Sequence, residues 1–271
     1  AVLIVEFAER ILPVMDPEAT DQLHAELERH RVAVRVGSKV IELKSEGNRV
    51  VSAVVENAHG KDTVPVDLVI NSAGIVPNAE FMEVEKAVNG AIIVNERMET
   101  SVPDVYAAGD CSVMTSFITC EHQYAPLGTN ANKQGRIIAE AIAGRRVPQL
   151  KLLGSSVLRL FTMEAAKVGL SETDAQRLNL DYEANYITGN AYAGYWSGEK
   201  VSVKLVYGKK SRKILGAQVV GQGVVGARAN YFAIAITTGM TVGEFGYLDL
   251  AYSPPISGVW DVTMIAANTA K

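Results

Sequence analysis

The stretch Thr100-Ser101-Val102-Pro103-Asp104-Val105-Tyr106-Ala107-Ala108-Gly109-Asp110 decides the fold. Val105 to Ala108 reads as a short buried strand that delivers a glycine and a carboxylate at its C-terminal end, which is where ligands of open α/β sheets bind. Gly109 allows close backbone approach, and an ionised Asp110 can accept two hydroxyl hydrogen bonds, a grip suited to a polyol chain. Sixteen residues after Asp110, Pro126-Leu127-Gly128-Thr129-Asn130 opens a helix whose free first-turn amides favour negative charge. For either motif alone a plainer alternative stands: Asp110 caps a neighbouring helix, and Thr129 is an N-cap.

Upstream, Val2 to Val5 is a strand ending at Glu6, and Asp16 precedes Pro17 and an amphipathic run to Arg29, an N-cap followed by proline at the first helical position. Val32 to Val36, Lys39 to Lys44, Val50 to Asn57 and Lys61 to Val66 follow. The last three form a β-meander, its turns at Glu46-Gly47-Asn48 and His59-Gly60. Asp67 to Ala73 is near-continuously apolar and ends in Gly74, which predicts a strand buried on both faces of a parallel sheet. Ala91 to Val94 predicts another short strand. Downstream, Gly128 to Ala143 predicts a helix closed by Gly144, and Arg145 to Leu150 a linker. Ser156 to Thr162, Tyr182 to Ile187, Lys200 to Tyr207 and Ile214 to Val220 then read as strands, with a helix from Gly226 to Thr238. An α/β portion is therefore followed by a separate α+β unit.

Composition narrows the function classes. At roughly 150 residues per domain, 271 residues suit two compact units. With 48% apolar and 21% charged residues the chain can bury a core without disulfides or metal. A net charge of −4 without a long basic run leaves no footprint for nucleic acid. The most apolar stretch, Tyr231 to Thr241, falls short of the roughly 18 residues a membrane helix needs. Cys111 and Cys120 are the only cysteines, which suits a reducing compartment such as the cytoplasm; no metal centre is expected.

The string Gly221-Gln222-Gly223-Val224-Val225-Gly226 matches a dinucleotide loop and sits between a strand and a helix. The fingerprint also needs an acidic residue ending a second parallel strand about 20 positions on. Glu244 has the spacing but lies in a turn that starts a new helix. These glycines are read as shaping a strand-to-helix corner.

Taken together, VLIVEFAERILPVMD, DLVINSAGIVPN, TSVPDVYAAGDC, PLGTNANKQGRIIAEAIAG and LDLAYSPPISGVWD resemble, in order, the flavin-dependent pyridine nucleotide-disulfide oxidoreductase superfamily. The Tyr252-Ser253-Pro254-Pro255 element and the GMTV run resemble its coenzyme A disulfide reductase, NADH oxidase and NADH peroxidase branch. The resemblance implies parts of paired FAD- and NAD(P)-binding Rossmann-like three-layer domains followed by an α+β dimerisation domain: a partial NAD(P)-binding domain over 1–76, a segment of the FAD-binding domain over 77–150, and dimerisation over 151–271. It implies that Gly109 and Asp110 hold the flavin ribityl group and that Leu127, Gly128 and Thr129 line the pyrimidine edge of the ring. Glu6 resembles the acid that holds the adenosine ribose, and Gly74 the glycine approached by NAD(P)H. A carboxylate at Glu6 repels a 2′-phosphate, which favours NADH over NADPH, although Arg10 tempers that preference. An ordinary strand-end acid and a simple turn are the alternatives for Glu6 and Gly74.

The Tyr-Pro-Pro element of the family reaches the partner subunit's flavin site, so Tyr252 is a candidate proton donor or substrate-positioning hydroxyl and Tyr195 a second one. Both also suit aromatic anchors of an interface. The implied activity is hydride transfer from NADH (or NADPH) to FAD, then reduction of a disulfide, polysulfide, peroxide or oxygen through a redox cysteine. Homodimerisation through 151–271 goes with it. Cys111 and Cys120 fall where the family places no redox centre and are read as ordinary thiols. The opening residues lack an initiating methionine and read as a chain entered in mid-domain. The two glycine-rich loops and the redox cysteine are expected upstream, and residues 1–271 alone are expected to hold FAD weakly. The alternative function is a non-catalytic dimerisation or protein-interaction module.

Overall fold

The computed structural model describes residues 1–270. β1 (Val2–Val5) pairs in parallel with β2 (Val32–Arg35) through the crossover helix α1 (Pro17–Arg29). The antiparallel meander β3 (Lys39–Glu46), β4 (Arg49–Asn57) and β5 (Gly60–Pro65) follows as expected. A small sheet of β6 (Ile92–Ile93), β7 (Ser112–Thr115) and β8 (His122–Gln123) precedes α2 (Gly128–Ile142).

The last third is an antiparallel sheet ordered β11-β12-β13-β10-β9, built from β9 (Ser156–Leu160), β10 (Met163–Gly169), β11 (Tyr182–Asn190), β12 (Lys200–Gly208) and β13 (Ile214–Gly221). The helices here are α3 (Glu172–Arg177), α4 (Val225–Thr238), α5 (Val242–Phe245) and α6 (Val262–Asn268). Strand alternation divides the sheet into two faces. Val201, Val203, Leu205, Ala217 and Val219 pack against α4 and α6 in one core, where Phe232 stacks on Phe245 at 4.7 Å. On the other face, Ala165 and Val220 pack under Leu23 and Leu27 of α1.

That second face is also polar. Lys204 stands opposite Gln218, and Gln218 opposite Lys167, in one row across three strands. α1 meets this row with Asp16, whose carbonyl accepts from Ala19 at 3.1 Å while its side chain caps nothing in its own helix. The fully buried Asp16 carboxylate accepts instead from the amides of Glu172 (2.8 Å) and Thr173 (3.0 Å), the Thr173 hydroxyl (2.8 Å) and the Gln218 amide, with Lys204 at 3.5 Å. Lys204 also pairs with Glu18 at 2.8 Å and Glu172 at 2.7 Å. The N-cap position was legible in sequence; the helix it serves, about 156 residues away, was not.

Two expectations fail. Asp67 to Ala73 is not a buried strand: no strand among the described residues pairs with it, and Leu68 and Ile70 are 75% and 80% exposed. Its apolar composition carries strand propensity, but a parallel strand exists only where a neighbour offers its backbone groups. Val105 to Ala108 is reduced to one antiparallel bridge, Tyr106 to Glu99, with the Ala107 amide donating to Met98. The predicted Ser156–Thr162 strand ends at Leu160, where a turn returns the chain along β10.

Burial alone would raise the carboxyl of Asp16, but its hydrogen bonds and Lys204 outweigh that and hold it below the ordinary value of 3.8. Asp174, bonded to Lys167 at 2.7 Å, is likewise held down, to about 2. A carboxylate lowered by folding contributes stability above its unfolded pKa and loses it as pH falls through the folded one. Urea-unfolding midpoints are therefore expected to fall from about pH 5 toward pH 2. Asp16→Asn should weaken the fold at pH 7 by about 2–4 kcal/mol and flatten that acid dependence; an unchanged midpoint would remove Asp16 from the account.

Candidate functional site

Gly109, Asp110 and Cys111 form a single 3₁₀ turn ahead of β7. Gly109 has φ +80°, the left-handed region that favours glycine, and a Cβ there would meet Ala131 of α2 only at an ordinary 3.6 Å. Conformation, not crowding, selects glycine here. Its amide donates to the buried Gln134 side-chain oxygen of α2 at 2.6 Å, which seats the turn on that helix. The Ser112 hydroxyl donates to the Gly109 carbonyl at 3.0 Å, and the Tyr124 hydroxyl to the Asp110 carbonyl at 2.7 Å. Burial, then the nearby Asp110 charge, pushes the Tyr124 phenol above its usual value. The Cys111 thiol points back to the Ala108 carbonyl at 3.3 Å. With these backbone groups engaged, the Asp110 carboxylate is exposed and bonded to no described residue.

The N-terminus of α2 has no side-chain cap. Leu127 occupies the N-cap position, and its carbonyl accepts from Asn130 and Ala131 at 2.9 and 3.0 Å. Thr129 is thus inside the helix and not its N-cap, and Asp110 caps no helix. The amides of Gly128 and Thr129 meet no acceptor among the described residues, and the first turn carries no acid. A free carboxylate therefore lies on a turn packed against a helix whose positive end is also unengaged. That arrangement suits a ligand with hydroxyl donors on one part and a negative edge on another.

At the other end of the chain, Glu6 folds back so that its carboxylate accepts from the Ala8 amide at 2.8 Å. Gly74 has φ +95° with open space around it, and no hydrogen bond joins it to Glu6. Tyr195 and Tyr252 are brought together, their hydroxyls 3.4 Å apart, with 79% and 45% exposure. The Ala193 amide donates to the Pro254 carbonyl at 3.2 Å and ties their two loops. The hydrogen bond to Tyr195, then burial, raises the Tyr252 phenol above its ordinary value.

Residues 1–135 match the family described as pyridine nucleotide-disulphide oxidoreductase, and residues 156–263 match its dimerisation domain. The chain belongs to this superfamily. It is 32% identical over 275 residues to the NAD(P)H sulfur oxidoreductase (CoA-dependent) of Pyrococcus furiosus, covering 100% of this chain and 61% of that protein. It is 32% identical over 273 residues to an NADH oxidase of Methanocaldococcus jannaschii, covering 99% and 60%. Among solved structures, a NAD-dependent persulfide reductase from A. fulgidus superposes with a TM-score of 0.92 at 34% identity, covering 98% of this chain and 50% of that one. The chain thus spans about 60% of the length of the two curated relatives.

Within this chain the Gly221–Gly226 string is a structural corner. Glu164 places its carboxylate on the Val225 amide at 3.0 Å, at the N-terminus where a phosphate would sit. A Cβ on Gly223 would lie 2.8 Å from the Tyr192 hydroxyl, so Tyr192 fills the space beside the loop. Buried Arg228 donates to the Gly223 and Ala191 carbonyls and to Asp261 at 3.0 Å. A cleft of about 680 Å³ lies between α1 and the ends of β10, β12 and β13, lined by Gln22, Glu26, Arg29, Glu199, Lys200 and Gln222 among others. It contains none of the expected site residues. Among the described residues no three His, Cys, Asp or Glu side chains gather as a metal site, and no helix is long and apolar enough to cross a membrane. Sequence reading missed Tyr124 and Gln134. Gln134 had left a signal, a polar residue three before Ile137 on the buried face of α2.

Arg228→Met should destabilise the fold by about 3–5 kcal/mol by leaving Asp261 charged, buried and unpaired. Denaturant unfolding measures this, and a loss below about 1 kcal/mol would show that the corner does not depend on the pair.

Proposed function

We propose that this chain is the C-terminal part of a FAD-dependent NAD(P)H oxidoreductase that reduces a disulfide, polysulfide, peroxide or oxygen, with its redox cysteine elsewhere in the full-length protein. The observation that carries this reading is the unengaged Asp110 carboxylate beside the unpaired amides of Gly128 and Thr129. The residues present fit the flavin: Asp110 would accept from ribityl hydroxyls, Gly109 admits close approach, and the first turn of α2 from Leu127 to Thr129 would favour a negative ring edge. Bound FAD would supply the two-electron chemistry that links NAD(P)H to the acceptor. Glu6 retains one carboxylate oxygen for ribose hydroxyls and disfavours a 2′-phosphate by like-charge repulsion, so NADH is the preferred donor. Gly74 would let the nicotinamide nucleotide approach the backbone. The CoA-dependent sulfur chemistry and the oxidase chemistry named for the two relatives support this range of acceptors.

Tyr252, whose phenol is protonated near neutrality, would give a proton to the leaving thiolate or peroxide oxygen, and Tyr195 would hold that hydroxyl in place. Both act across a homodimer formed through 151–271, in keeping with the dimerisation domain. The boundaries 1–76, 77–150 and 151–271 and a cytoplasmic setting belong to the same reading. In the full-length protein the exposed Asp67–Ala73 run would gain a strand neighbour and become the buried strand its composition describes.

In the full-length protein, Asp110→Ala is expected to lower FAD affinity at least about tenfold, read by flavin fluorescence. Tyr252→Phe should slow turnover of a disulfide acceptor by about 100-fold while flavin reduction by NADH under anaerobic conditions keeps its rate. Full-length protein that binds no flavin, or that turns over equally well without the Tyr252 hydroxyl, would defeat the corresponding part of the proposal.

A further inference from the structure

We propose that Tyr124, opposed by Gln134, is a positioning residue that aims the Asp110 carboxylate at the flavin ribityl chain. The inference rests on the flavin reading of this turn and adds what holds its carboxylate in place. The turn closes on one main-chain bond, from the Ser112 amide to the Gly109 carbonyl, and the Asp110 carbonyl takes no part in it. The fold holds the turn from both sides. Gln134, buried in α2, accepts from the Gly109 amide at 2.6 Å. Tyr124 follows β8, whose pairing with β7 through Met114 and Gln123 returns the chain beside the turn, and donates to the Asp110 carbonyl at 2.7 Å.

The two bonds fall on the Gly109 N–H and the Asp110 C=O, the peptide groups on either side of this pair of residues, so together they hold the Asp110 backbone without touching its side chain. The phenol is the only described donor to that carbonyl. Losing it would leave the turn seated through Gly109 while Asp110 gains rotational freedom. The carboxylate would then have to be ordered at each binding event, which weakens retention of the ligand without unfolding the protein.

The test is a double-mutant cycle on FAD retention in the full-length protein, following the dissociation rate of reconstituted flavin by fluorescence recovery on dilution. Tyr124→Phe is expected to raise that rate about fivefold while the unfolding midpoint of the apoprotein stays put. In an Asp110→Ala background the same change should have almost no effect, because there is no carboxylate left to aim. Should Asp110→Ala retain no flavin at all, Asp110→Ser serves as the background. Equal acceleration in both backgrounds, or none with Asp110 intact, would overturn the assignment while leaving the flavin site standing. If Asp110→Ala itself releases FAD no faster than the unaltered protein, the flavin reading fails, and this inference with it.

Discussion

One buried carboxylate, Asp16, holds the two halves of this molecule in register. It immediately precedes α1, yet its acceptor capacity is filled by α3 and β13, with a strand lysine beside it. The sheet below presents Lys167, Gln218 and Lys204 in a row on the face that α1 covers. Charges in such a place are tolerated only where partners surround them. Asp16, Glu18, Glu172 and Asp174 supply those partners from two helices and the residues before them. A one-residue slip of β12 would turn Lys204 into the apolar core around Phe232, so the polar row fixes strand register as firmly as the hydrophobic pattern does.

The Gly109–Cys111 turn solves the opposite problem. Asp16 is surrounded and has no capacity to spare, whereas Asp110 is left unengaged because its neighbours have taken over the backbone around it. Gln134, Tyr124 and Ser112 each satisfy a main-chain group, and none approaches the carboxylate. The α2 N-terminus follows the same economy, since a leucine at the N-cap and no acid in the first turn leave its amides open. A helix start built for stability alone would carry Ser, Thr, Asp or Asn there, each worth roughly 1 kcal/mol. Forgoing that stabilisation beside an unpaired aspartate is consistent with a surface shaped for a ligand.

Local signals were legible wherever the neighbours that complete an element lie close in sequence. The Asp16-Pro17 start of α1, the meander turns at Gly47 and Gly60 and the closure of α2 at Gly144 all follow from residues within a few positions. The Gly221–Gly226 corner was separated from a dinucleotide loop by the missing acidic strand end, and Glu164 on the Val225 amide shows why no phosphate is needed there. Long-range satisfaction was not legible. Nothing around Asp16 announces that it caps α3, and nothing around Tyr124 announces a bond to the Asp110 carbonyl. The apolar run from Asp67 to Ala73 misled for a related reason, because composition reports a preference for pairing and not the presence of a neighbour. The Tyr195–Tyr252 hydroxyl pair joins loops 57 positions apart and could be found only in three dimensions.

Two exposed apolar regions look alike by composition and differ physically. Along Asp67 to Val76 the exposed side chains accompany an unpaired backbone, in which one amide, that of Ala73, bonds to a side chain, Asn71. Around Tyr195, Trp196, Tyr247, Tyr252 and Trp260 the loops are tied by main-chain bonds, such as Ala193 to Pro254 and Trp196 to Ala193, and Tyr247 meets Trp260 edge to face at 6.1 Å. The first surface needs hydrogen bonds as well as apolar cover, which only an adjacent strand provides. The second needs apolar area and a few polar tips, which is what large aromatic side chains offer a protein partner. The backbone, and not the side-chain list, therefore separates the two: the first lacks strand pairing, and the second holds Tyr195 and Tyr252 on loops that main-chain bonds already fix.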